Sequence, residues 1–152
     1  MKTVIITAAL IALSAPAFAE NDVEKGEKDF KRCKACHSIV DPDGEAIVKG
    51  GMTGPNLWGV VGRVAGTYPD FKYSDSYITL GEADFTWTPE LLVDYITDPK
   101  AFLQDQLDDE SAKTKMTFKM KKPSDVVAYL ATFGAEATAE SDGASDSDGA
   151  SE

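Results

Sequence analysis

The sequence predicts an all-α fold: several short helices joined by long loops, in one small domain. Three observations carry this expectation. Three capped segments place apolar residues at helical spacing, no period-2 alternation of useful length occurs, and the length left after both ends are set aside suits a single core.

The ends come first. In residues 1–19, Lys2 supplies a charged start, Thr3 to Leu13 is apolar, and Ala17-Phe18-Ala19 is a small-x-small cleavage site, so this segment is expected to be a secretory signal removed after Ala19. Its apolar run falls short of the roughly twenty residues that span a bilayer. Residues 134–152 contain only Gly, Ala, Glu, Thr, Ser and Asp. Such a composition cannot bury enough surface to offset its ordering entropy, and a disordered acidic tail is expected. Residues 20–133 remain as the domain.

Within it, Asp22 is a plausible N-cap for a helix over Val23 to Cys33, with Val23, Gly26, Phe30 and Cys33 on one side. Thr88 caps a second helix with Pro89 at its first position, expected to run to Thr97 before Asp98-Pro99 ends it. A third starts at Pro123 and ends near Phe133, with Gly134 just past its end and Val126, Tyr129, Leu130 and Phe133 in one stripe. Residues 41–56 and 62–76 are rich in Gly, Pro, Asp and Ser and suggest no long element.

Charge narrows the function. The whole chain carries a formal net charge of −11. Without the signal and the tail, 20 acids face 14 bases, a balance of −6. Nucleic-acid binding would call for a basic excess, and no dense Lys/Arg block flanks an apolar helix for membrane attachment. Neither nucleic acid nor stable membrane insertion is expected, which leaves a soluble exported domain, expected to be a monomer.

The only two cysteines and the only histidine form one run, Cys33-Lys34-Ala35-Cys36-His37. A redox disulfide would need strand-helix-strand units around the pair, and a zinc site about four ligands at other spacings. C-x-x-C-H is the attachment signature of c-type haem. Two thiols three positions apart lie on one side of a helical turn and can each add to one porphyrin vinyl group. The following histidine is then held beneath the ring with a nitrogen on iron. A buried porphyrin also accounts for the long loops, since it gives them an apolar surface to pack on. With one histidine, neither bis-histidine ligation within the chain nor a His-based catalytic triad is available; the sixth iron ligand is Met, Lys, water or nothing.

From Val23 to Phe133 the chain resembles a class I cytochrome c, and within it the larger bacterial cytochromes c₂ of the c-550 type. The resemblance rests on an ordered set of motifs. After Cys33-x-x-Cys36-His37 come Gly54-Pro55-Asn56-Leu57 and Gly59-Val60-Val61-Gly62-Arg63, then Phe71-Lys72-Tyr73-Ser74. Trp87 leads a helix containing Tyr95 and ending at Asp98-Pro99-Lys100, and Thr114-Lys115-Met116-Thr117-Phe118 precedes Tyr129-Leu130. The resemblance implies a cytochrome c fold wrapped around one haem c on Cys33 and Cys36, with iron held by His37 and Met116. Met120, four residues on, is the rival ligand. Pro55 would accept from the second ring nitrogen of His37, Tyr95 would hydrogen-bond near the Met116 sulfur, and Arg63, Tyr73 and Trp87 would surround a buried haem propionate. Gly26 would admit the C-terminal helix, with Phe30 and Tyr129 nearby. Asp41-Pro42-Asp43-Gly44 and Gln104 to Ser111 are insertions relative to the short mitochondrial form, and Tyr77 stands where that form has an asparagine near the haem.

A thioether opposite histidine favours ferrous iron and leaves no position for substrate. The implied role is therefore a soluble one-electron carrier, not an enzyme. It would run from a membrane cytochrome bc complex to an acidic acceptor such as a terminal oxidase, a photosynthetic reaction centre or another periplasmic reductase. Lys28, Lys31, Lys34, Lys49, Lys100, Lys113, Lys115, Lys119, Lys121 and Lys122 are expected to border the haem edge and steer that docking. A five-coordinate haem gas sensor or peroxidase is the alternative, and would need Met116 off the iron.

Overall fold

The computed structural model describes residues 21–134. The expected signal segment, and the tail beyond Gly134, lie outside the described residues. Five helices and one small hairpin follow in order: α1 (Val23–Phe30), β1 (Ile39–Val40), β2 (Ala46–Val48), α2 (Asp75–Glu82), α3 (Pro89–Thr97), α4 (Pro99–Leu107) and α5 (Ser124–Leu130). The expected caps form: the Asp22 carboxylate accepts the Lys25 N–H at 2.9 Å, and the Thr88 hydroxyl accepts the Leu91 N–H at 3.3 Å. α1 and α5 are shorter than their apolar stripes suggested, and both continue into turns. Gly134 has the left-handed φ of +80° expected of it, but α5 ends earlier, at Leu130 with Ala131 as its C-cap.

Three elements depart from expectation. Asp98-Pro99 does end α3, but it also starts α4: the Asp98 side chain accepts the Ala101 N–H at 3.3 Å, and Pro99 opens the new helix. Part of the 104–111 insertion is thus helical, closed by Asp108 in the left-handed region at φ 48°. α2 was not expected because Ser76, Tyr77, Ile78, Thr79 and Gly81 are indifferent or poor helix formers. It holds through tertiary contact instead, burying Leu80 and packing on α4. The Asp41–Gly44 insertion forms the turn of an antiparallel hairpin pairing Ile39 with Val48, so the all-α fold carries one two-stranded ribbon.

The core joins these pieces. α1 packs chiefly on α5, where a Cβ on Gly26 would overlap the Asp125 carbonyl oxygen, so only glycine admits this approach. Phe30 lies one turn on, its ring centre 5.6 Å from that of Tyr129. Each such buried side chain contributes about 1.5–3 kcal/mol. α3 lies against α4 and α5 and contributes Leu92, Tyr95 and Ile96 to the interior. Among the described residues no helix is long and apolar enough to cross a membrane.

Candidate haem site

The helices and the loops between them enclose a cavity of about 330 Å³, within the roughly 300–1,000 Å³ of small-molecule and cofactor sites. Cys33, Cys36 and His37 line it from the turns that follow α1. Cys33 is half-buried and Cys36 exposed, and neither is bridged. Burial pushes the Cys33 thiol up to about 11.

His37 is seated by its neighbours. Its Nδ1 lies 2.8 Å from the Pro55 carbonyl oxygen. A carbonyl only accepts, so Nδ1 carries the hydrogen and the Nε2 lone pair is free for a metal. A Cβ on Gly54 would overlap the imidazole ring, which gives that glycine a role its motif did not disclose. Burial, helped by the Arg63 charge and opposed by the Pro55 bond, lowers the His37 pKa and favours the neutral ring.

Of the two rival methionines, Met116 lines this cavity. Met120 does not; it is 3% exposed, packed in the core, and donates its N–H to the Ile96 carbonyl at 3.0 Å. The Met116 loop is pinned at its other end too, because Ser74 Oγ donates to the Lys113 carbonyl and Lys113 N–H donates to Ser76 Oγ, both at 2.9 Å. Tyr95 reaches this loop through Thr114: the two hydroxyls are 3.4 Å apart, and Thr114 Oγ1 accepts the Met116 N–H at 3.0 Å.

Arg63, Tyr73, Trp87 and Tyr95 line the same cavity. The Arg63 guanidinium donates to the carbonyls of Trp58 at 3.2 Å and Asn56 at 2.9 Å. Among the described residues it has no carboxylate partner, and burial lowers its pKa. A half-buried cation beside an apolar cavity, balanced only by neutral groups, fits the carboxylate of a haem propionate. Thiols for two vinyl groups, a free imidazole nitrogen, a thioether in the same cavity and this guanidinium together match the donor set haem requires. Sequence reasoning gave no role to Asn56, whose side chain ties Val40 and Trp58 to the Arg63 loop, and named Tyr77, which lines the cavity, only as a departure from the mitochondrial pattern. It also gave no part to the Thr114 hydroxyl.

A helical shell closed over one such cavity, entered by a C-x-x-C-H turn, defines the class I c-type cytochromes. No family model matches the chain. It is 59% identical over 127 residues to cytochrome c2 of Rhodobacter capsulatus, covering 83% of this chain and 92% of that protein. It is 49% identical over 144 residues to cytochrome c-550 of Paracoccus denitrificans, covering 92% of this chain and 93% of that protein. The Rhodobacter capsulatus cytochrome c2 structure superposes with a TM-score of 0.73 at 59% identity, over 74% of this chain and 97% of that one. Ferric cytochrome c-550 of Paracoccus versutus gives 0.73 at 51% identity, over 75% and 98%. The chain belongs to the cytochrome c2/c-550 family. It is an electron-transfer cytochrome, and its cofactor is covalently attached haem c.

Proposed function

We propose that this chain is a soluble periplasmic one-electron carrier, exported by cleavage after Ala19, with residues 20–133 as the working domain. Haem is joined to Cys33 and Cys36 and held by His37 and Met116. The single observation that carries this reading is that Met116, and not Met120, shares the cavity of Cys33, Cys36 and His37. The bound haem supplies an iron that cycles between ferric and ferrous. The chain's residues do the rest. Pro55 orients His37, Thr114 holds the Met116 backbone, Arg63 offsets propionate charge, and the apolar lining excludes water. If His37 and Met116 both held the iron, no position would remain for substrate, which supports a carrier and not an enzyme.

Docking follows from charge. All ten lysines proposed to border the haem edge are exposed, on a protein whose overall charge is negative. They are proposed to meet the acidic faces of a membrane cytochrome bc complex and of a terminal oxidase, reaction centre or other reductase.

The test is the absorption spectrum of the exported ferric protein, read for the weak far-red band of an iron–thioether bond. The band is expected in the wild type and lost in Met116→Ala. Ready carbon monoxide binding by a wild type without the band would support the five-coordinate reading instead.

A further inference from the structure

Three methionines lie among the described residues, and they differ in what can reach them. Met120 is 3% exposed and Met116 lines the haem cavity, whereas Met52 is 88% exposed. The other exposed large apolar residues, Ile47, Ile78 and Val23, are each less than half exposed. A single apolar side chain in water needs no explanation on packing grounds. What sets Met52 apart is the backbone that carries it.

Met52 sits on a bend fastened on both sides to the haem-attachment turn. The Gly51 N–H donates to the Lys34 carbonyl and the Gly54 N–H to the Cys36 carbonyl, each at 2.9 Å. The residues that follow, Thr53 and Gly54, line the haem cavity, as does the exposed Cys36. The thioether is thus presented to solvent at the rim of the cavity. Lys34, whose carbonyl takes one of these bonds, and Lys49, three residues before Met52, are both exposed and belong to the proposed docking set.

An exposed thioether is open to attack by hydroperoxides. The sulfur bonds to one oxygen of hydrogen peroxide, the O–O bond breaks, and the sulfur gives up two electrons. The hydrogen on the transferred oxygen passes to the departing hydroxide, so thioether and peroxide become sulfoxide and water. A flexible apolar side chain is replaced by a polar, chiral one, and a dithiol-dependent methionine sulfoxide reductase restores it, the dithiol becoming a disulfide and the oxygen leaving as water. Neither backbone bond of the bend uses the side chain, so the haem turn keeps its form while the surface changes.

We propose that Met52 is a redox-modification site on the docking face: hydrogen peroxide converts it selectively to the sulfoxide, which weakens docking of an acidic electron-transfer partner and leaves the haem site as it is. The effect on docking rests on the lysine reading given above.

The experiment treats the ferric holoprotein with hydrogen peroxide and follows oxygen uptake by peptide mass analysis. The singly oxidised form is then purified, and its electron-transfer rate to an acidic acceptor is compared with that of untreated protein, Met52→Leu, Met52→Gln and Lys34→Glu. Met52 is expected to take up oxygen at least about 10-fold faster than Met116 or Met120. The oxidised form should transfer electrons roughly 2- to 5-fold more slowly at limiting acceptor, the effect of losing about one buried methylene, with its visible haem spectrum unchanged. Met52→Gln should show this slowing without peroxide, and Met52→Leu should show none after treatment. Oxidation of Met116 or Met120 ahead of Met52 overturns the proposal, and so does an oxidised form that transfers at the untreated rate or has an altered haem spectrum. If Lys34→Glu slows transfer and the sulfoxide does not, the docking reading stands and this inference alone falls. If neither slows transfer, both fall.

Discussion

Gly26 faces the Asp125 carbonyl so closely that a Cβ there would overlap its oxygen, and this fit sets how closely the first and last helices approach. Gly26→Ala would force the helices apart or distort the turn at Asp125. A loss of about 1–3 kcal/mol is expected, as for other overpacked interiors. Chemical denaturation of the holoprotein would measure it, with the haem spectrum little changed.

Asp125 also binds this junction through charge. Its carboxylate accepts the Asp22 N–H at 3.1 Å and pairs with Lys25. The Lys25 bond, with help from the Asp22 N–H, holds Asp125 below its ordinary 3.8. A carboxyl depressed on folding adds stability above its unfolded value and loses it as pH falls through the folded one. Asp125→Asn is therefore expected to lower the melting temperature near neutrality. The gap from wild type should close as the medium becomes more acidic than the ordinary carboxylate range. Lys25 is raised by the same pair, so its share persists below its ordinary 10.5 and fades only at still higher pH.

Arg63 is a half-buried cation of the cavity with no carboxylate partner among the described residues. Removing a positive charge beside the iron makes the ferric state easier to hold, so Arg63→Gln is expected to lower the reduction potential. The drop should be no more than roughly 90 mV, the one-electron equivalent of about 2 kcal/mol for a charge-assisted hydrogen bond, because only the part that differs between ferric and ferrous states shifts the potential. Redox titration would measure it, and an unchanged potential would mean the guanidinium does not face a propionate.

Met120→Ala separates packing from ligation. Met120 is buried in the core, so its truncation should cost about 2–5 kcal/mol while leaving the far-red band in place. Loss of the band in this variant, and not in Met116→Ala, would move the ligand.

The lysines make a kinetic prediction. Charge reversal at Lys34 or Lys115, both exposed, should slow electron transfer to an acidic acceptor by several-fold. The effect should shrink as salt rises. Rates independent of ionic strength would remove the docking reading.

Legibility in the sequence followed chemical distinctiveness. Cys33, Cys36 and His37 could be proposed as haem residues because few residue types suit that chemistry at that spacing, while Pro55 came only from the family resemblance. α3 was legible because Thr88 and Pro89 mark a helix start locally. Asp98-Pro99 was half-read, since the same pair that stops one helix can cap the next. α2 had no local signal, its stability coming from what Leu80 and Gly81 pack against. Tyr77 differed visibly from the mitochondrial pattern, but a tyrosine in sequence does not announce whether its ring or its hydroxyl matters. What folding adds is its ring contacts with Tyr73, Trp87 and Tyr95.

The two anchors of the Met116 loop, at Lys113 and Met120, have a consequence for ligand recapture. If Met116 is the ligand proposed above, a thioether that left the metal would remain on a tether of residues 114–119, whose ends are held at Lys113 and Met120. Its effective concentration at the iron is then in the millimolar range or above, as for short linkers. A competing small molecule in the periplasm must exceed that local supply, in proportion to its own affinity, to stay bound. On that proposal, the loop's two anchors would protect the metal by keeping a departed ligand within reach.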